Sequence, residues 1–100
     1  MTRVARYAKL TAEDGRGGDV AERLLAAADE LRDDPGCELY LVSRQADAPD
    51  VVWVTELWRS QADLERVAEG AGEGDDVAAV MAMMRDFAIV ELDHLGGKGP

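Results

Sequence analysis

One hundred residues make one domain, and a hydrophobic content of 47% excludes a disordered chain. A net charge of -10 excludes nucleic acid and anionic membrane as partners, because both would repel it. One cysteine, Cys37, excludes an intrachain disulfide, and one histidine excludes a multi-histidine metal site.

No apolar run approaches the roughly 18 residues of a membrane span. Residues 1–6 hold no long apolar stretch, so no secretory signal is expected and the expected location is the cytoplasm. A chain of this size buries a modest core, for which pairing with a second copy is a common remedy.

The first expected element is a strand over residues 4–10, carrying Val4, Tyr7 and Leu10. Gly15, Gly17 and Gly18 break regular structure in a loop over residues 11–18, which lacks the Gly-Lys-Ser/Thr ending of a phosphate-binding loop. Asp19 is expected to cap a helix, with Glu22 as its capping-box partner. Val20, Leu24, Ala27, Ala28 and Leu31 form the apolar stripe of that helix. Pro35 ends it, because proline disfavours helical geometry at Asp34.

Residues 37–45 read as a second strand, residues 46–50 as a polar turn and residues 51–58 as a third strand. Alternation places Val52, Val54, Glu56 and Trp58 on one face and Val51, Trp53, Thr55 and Leu57 on the other. Both faces carry large apolar groups, so each needs a cover.

Ser60, with Asp63 three residues on, is expected to cap a short second helix with Leu64, Val67 and Ala68 on its stripe. Residues 69–76 read as an acidic loop, either a solvated linker or a lid. Residues 77–84 form a third helical piece with Val77, Val80, Met81 and Met84 along one side. Residues 86–95 form a fourth strand, with Phe87 and Ile89 on one face and Ala88, Val90, Leu92 and His94 on the other. Residues 96–100 are a glycine-rich tail.

The order strand, helix, strand, strand, helices, strand is the split β-α-β arrangement. The expected fold is therefore α+β and ferredoxin-like: a four-stranded antiparallel sheet with helices on one face, forming a single domain over residues 1–95. All five aromatic residues fall in expected strands and divide between both faces. The uncovered face is expected to pack on the sheet of a second copy, giving a homodimer.

At this point the residues resemble the antibiotic biosynthesis monooxygenase family of the dimeric α+β barrel superfamily. The matching pieces are Pro35-Gly36-Cys37 leading to Tyr40, the Glu56-x-Trp58 ending of the third strand, and Ser60 followed by an amphipathic helix. The resemblance runs from about Val4 to Leu95. It implies a small dimer that oxidises a quinol or a polyketide-derived anthrone with O2, without metal, flavin or other cofactor. Where many members carry a helix histidine, this chain has Leu64-Glu65-Arg66-Val67-Ala68, and it has no asparagine. A haem-degrading role is therefore not expected.

Cofactor-free oxygenation asks the protein to exclude water, orient the rings and accept a proton. The best match is the third-strand face with Val54, Glu56 and Trp58, covered by Met81 and Met84. Trp58 is expected to wall the ring, Glu56 or His94 to act as base, and Tyr7 and Tyr40 to orient a phenolic oxygen. The alternative is a non-catalytic dimeric barrel that binds a small apolar ligand or serves as an accessory subunit. Isomerase or cyclase chemistry in the same barrel stays open, because fold does not fix function.

Overall fold

The computed structural model describes residues 2–71 and 75–99, with only the backbone described for residues 71 and 75–77. The elements in order are β1 (Val4–Ala12), α1 (Gly17–Glu30), β2 (Cys37–Gln45), β3 (Ala48–Trp58), α2 (Gln61–Ala71), α3 (Asp75–Ala82) and β4 (Met84–Asp93). The strands form one sheet in the order β2-β3-β1-β4, with every neighbouring pair antiparallel. This is the ferredoxin-like α+β sheet expected from the order of elements. Among the described residues no helix is long and apolar enough to cross a membrane.

Register explains which residues share a face. On β1 and β3, Val4 opposes Trp58, Arg6 opposes Glu56, Ala8 opposes Val54 and Leu10 opposes Val52. On the flanking strands, Tyr40 opposes Glu56, while Phe87 and Ile89 oppose Leu10 and Ala8. These side chains point toward the helices. One buried cluster joins Ala8, Leu10, Ala12, Val52 and Val54 to Val20 of α1 and to Met83, with Val80 of α3 packed against it. A second cluster joins Val4 and Trp58 to Leu64 of α2, with Leu31, Cys37 and Val67 against it. Full burial of an aliphatic side chain is worth about 1.5–3 kcal/mol, so these two clusters hold the helices on the sheet.

Among the described residues no helix lies over the opposite face. Tyr7, Leu41, Trp53, Val90 and Leu92 are all substantially exposed there. Lys9 lies over the Trp53 ring, and the indole N–H of Trp53 donates to Gln45.

Several expected boundaries shift. Helix α1 starts at Gly17, and Asp19 does not cap it: Asp19 is already in the first turn and pairs with Arg16. The cap comes from Asp50 at the start of β3, whose carboxylate accepts from the amides of Gly15 and Gly17 at 3.0 Å each. A side chain at Gly17 would collide with the Pro49 carbonyl, so glycine lets the helix start sit against the hairpin.

The turn between β2 and β3 shrinks to Ala46 and Asp47, because β3 begins at Ala48. Residues 69–71 belong to α2 and Asp75 opens α3, so the expected acidic loop is mostly helix; residues 72–74 lie outside the described residues. Met84 is the first residue of β4 rather than part of a helix, and the buried methionine of this segment is Met83. Ser60 does cap α2: its hydroxyl accepts from the Asp63 amide and donates to the Asp63 carboxylate.

Candidate functional site

A cavity of about 260 Å³ lies between the covered sheet face and helices α1 and α3. Its floor is Ala8, Leu10 and Val54 from the central strands. Leu24 and Ala27 of α1 and Val80 and Met81 of α3 form its walls, and Met84, Phe87 and Ile89 of β4 line the edge. Met81, Phe87 and Ile89 are about half exposed and make the rim. The apolar lining follows from strand alternation, since each strand sends every second residue to this face.

One end of the cavity is polar. Arg6, Arg23, Tyr40 and Glu56 line it. Glu56 is 2% exposed, and both its oxygens are engaged. Arg6 Nε donates to Oε2 at 3.2 Å, and the Trp58 indole N–H donates to Oε1 at 2.8 Å. A buried carboxylate needs such partners, because leaving it unpaired costs several kcal/mol. Tyr40 stands opposite Glu56 on β2. Burial, followed by the nearby Glu56 charge, pushes its phenol up to about 12. The Tyr40 hydroxyl therefore stays protonated at neutral pH and can donate a hydrogen bond.

The expected site residues divide. Glu56, Tyr40, Val54, Met81 and Met84 meet around this cavity. Trp58 does not wall it: at 2% exposure Trp58 fills the second cluster beneath α2 and reaches the site only through its bond to Glu56. Tyr7 faces the opposite side of the sheet, because odd positions of β1 alternate away from the helices. His94 follows β4, where its amide donates to the Arg3 carbonyl. It sits roughly 10 Å along β1 from the level of Arg6, and among the described residues it does not line the cavity.

Arg6 and Arg23 went unanticipated. The signal for Arg6 was present: it is the one charge on the face Val4, Arg6, Ala8, Leu10, just as Glu56 is on Val52, Val54, Glu56, Trp58. Two opposite charges on otherwise apolar strand faces imply a cross-strand pair.

Of the residues that carried the resemblance, Tyr40 and Glu56 line the cavity, while Gly36, Cys37, Trp58 and Ser60 serve the packed end. A side chain at Gly36 would collide with Asp63, and the Gly36 carbonyl accepts from the Arg59 amide at 2.8 Å. Asp34 accepts from the Gly36 amide and from Arg66 of α2. Asp63 accepts both from Arg59 and from the Ser60 hydroxyl, and these bonds hold its carboxyl down to about 2. Burial pushes the Cys37 thiol up, away from the thiolate form.

Solved structures share this fold. A Chloroflexus aurantiacus J-10-fl protein, named as a candidate antibiotic biosynthesis monooxygenase, is 23% identical over 97% of each chain with a TM-score of 0.83. One from Deinococcus radiodurans, similarly named, is 21% identical over 97% of each chain with a TM-score of 0.84. Another so named, from Caulobacter crescentus CB15, is 23% identical over 95% of this chain and 92% of that one, with a TM-score of 0.81. No curated protein matches the chain. The family described as antibiotic biosynthesis monooxygenase matches residues 3–70, which span β1 through nearly all of α2 but exclude the α3 and β4 side of the cavity. The chain belongs to the antibiotic biosynthesis monooxygenase family.

Proposed function

We propose that the protein is a cofactor-independent monooxygenase that oxidises an aromatic quinol or anthrone-type substrate with O2 in this cavity. The observation that carries the reading is the cavity itself: apolar on its walls, polar at one end, and scaled to a small fused-ring ligand. For an anthrone the balance is simple. The ring CH2 loses two hydrogens and gains one oxygen as a ketone, and the second oxygen atom of O2 leaves as water.

The protein needs to remove one proton, so that the resulting carbanion or enolate can pass an electron to O2. Glu56 is the group at the polar end that can take that proton, because two of its four lone-pair sites stay open after Arg6 and Trp58 bind. Tyr40 donates to the substrate oxygen. The walls exclude water from the reactive intermediate. His94 has no part in this scheme.

The exposed Tyr7, Leu41, Trp53, Val90 and Leu92 support a homodimer formed by sheet-to-sheet packing. A light-scattering mass of one chain at micromolar concentration would remove the dimer.

A second reading, a non-catalytic barrel that binds a small apolar ligand or serves as an accessory subunit, is favoured by one observation. Glu56 is tied on both oxygens, as a structural carboxylate would be. Oxygen uptake by chelator-treated protein, offered naphthohydroquinones and anthrones against a heat-denatured control, separates the two. Uptake above control that falls in Glu56→Gln supports the oxygenase; no uptake across the panel supports the binding role.

A further inference from the structure

Met81 stands where the cavity meets solvent. It lies near the end of α3, is 54% exposed, and shares the rim with Phe87 and Ile89. Its neighbours fix that position. Val80 packs against the core and Met83 is buried in it, so the chain turns these two inward and leaves Met81 at the mouth. The backbone that follows is tied down as well. The Met83 amide donates to the Val80 carbonyl at 3.0 Å, and the Met83 carbonyl accepts from the Glu13 amide at 2.8 Å.

The described sulfur atoms differ in what a peroxide can reach. Met83 is 7% exposed and Met84 is partly buried. The Cys37 thiol, pushed up by burial, is held away from the thiolate that peroxides attack. A thioether has no proton to lose, so its lone pairs are available at any pH. Met81 joins that reactivity to the highest exposure of any described sulfur.

Oxidation at this place changes the cavity. As a thioether, Met81 is apolar and polarisable, and such a sulfur suits contact with an aromatic ring. As a sulfoxide it carries a strongly polar oxygen. A ligand that covers the rim takes water away from that oxygen, which is unfavourable unless a donor replaces it.

We propose that Met81 is a modification site, oxidised by hydrogen peroxide to the sulfoxide, and that this oxidation turns down the binding of apolar ligands in the cavity. The inference rests on the reading of this cavity as the ligand site, and it adds regulation to that site. In the reaction the sulfur lone pair attacks one peroxide oxygen, the O–O bond breaks, and that oxygen stays on sulfur. The other oxygen takes up the displaced proton and leaves as water, so sulfur loses two electrons and the peroxide gains two. A quinol that gives two electrons and two protons to O2 without receiving an oxygen atom leaves as a quinone and releases hydrogen peroxide. Failed turnover in this cavity would therefore generate the oxidant beside Met81.

The test treats the purified protein with dilute hydrogen peroxide and locates the added oxygen by fragmentation mass spectrometry over time. Met81 is oxidised first, ahead of Met83 and Met84. Calorimetric titration then uses 2-naphthamide, an uncharged fused-ring probe that takes no part in oxygen chemistry. Protein oxidised at Met81 binds it about tenfold more weakly than untreated protein. Methionine sulfoxide reductase returns the lost affinity. Met81→Leu, of similar volume and without sulfur, binds within about twofold of the wild type and keeps its affinity through the treatment.

Oxidation of Met83 or Met84 as fast as Met81 would overturn the proposal. So would an equal loss of affinity in treated Met81→Leu, or a loss that the reductase does not reverse. The reductase arm uses the wild-type chain and so does not depend on how the variant folds. Naphthamide binding that survives oxidation of Met81 ends this inference alone. Untreated protein that binds no naphthamide ends the reading of the cavity as a ligand site, and this inference falls with it.

Discussion

The covered face of the sheet has two halves built on different plans. At one end Val4, Trp58 and Leu64 are packed against Leu31, Cys37 and Val67, and the ion pairs of Asp34, Arg59, Asp63 and Arg66 tie the loop before β2 to α2. At the other end, from Arg6 to Leu10 along β1, the same face opens into the cavity beneath α1 and α3. The joint between the halves is Glu56, which takes the indole of the packed end on one oxygen and the guanidinium of the open end on the other. The packed half supplies rigidity, and the open half is where a ligand can sit. Residues that look alike by sequence position serve different ends according to which half holds them.

The largest way to break this comparison is Trp58→Ala. Truncating a buried aromatic costs about 3–5 kcal/mol and here also removes a donor from Glu56, so the variant should unfold at a much lower urea concentration. Ile89→Ala, on the half-exposed rim, should cost about 1 kcal/mol or less. Similar losses for the two would mean that the halves are not packed differently.

Next comes the joint. Arg6→Gln should cost about 3 kcal/mol, because it leaves the Glu56 charge buried with Trp58 as its one remaining donor among the described residues. Adding Glu56→Gln should recover most of that loss. Urea melts of the wild type, the single variant and the double variant measure it, and a double variant no more stable than the single one would show that the charge pair is not the source of the cost.

Acid should act on the packed end. Asp63 is held down to about 2 by Arg59 first and then by Ser60, against an ordinary value of 3.8. A carboxyl whose folded value is depressed contributes stability that is complete above its unfolded value and is lost as pH falls through its folded one. The expected loss therefore runs from about pH 4 down to about pH 2. In Asp63→Asn the dependence of melting temperature on pH should flatten across that window, and an unchanged slope would remove Asp63 as its source.

These tests also show what could be read without coordinates. The element order needed only hydrophobic period and turn residues, because those signals are local. The cap of α1 was not local. It comes from Asp50, 33 residues from Gly17, so a nearby Asp19 looked sufficient. Trp58 and Glu56 share a face by alternation, but alternation does not say that α2 lands on one and leaves the other at a cavity. Arg6 and Glu56 are 50 residues apart, and their pairing follows only once the register of β1 and β3 is known. Tyr7 and His94 had the right chemistry, but their parity and position send them away from the cavity.

The smallest effect on stability should carry the clearest effect on function. Ala27 lines the cavity from α1 and is partly buried. Leucine is nearly as good a helix former as alanine, so Ala27→Leu changes little in the helix itself. Its extra carbons project into open space rather than into packed neighbours, and burying them is worth about 0.8 kcal/mol each when they fit. The melting temperature should therefore stay level or rise slightly. Any oxygen uptake should disappear, because the added side chain occupies the ligand's volume. A variant that keeps it would show that the chemistry lies elsewhere on the molecule. A variant that melts well below the wild type would show that this half has no room to spare and is packed as tightly as the Trp58 end.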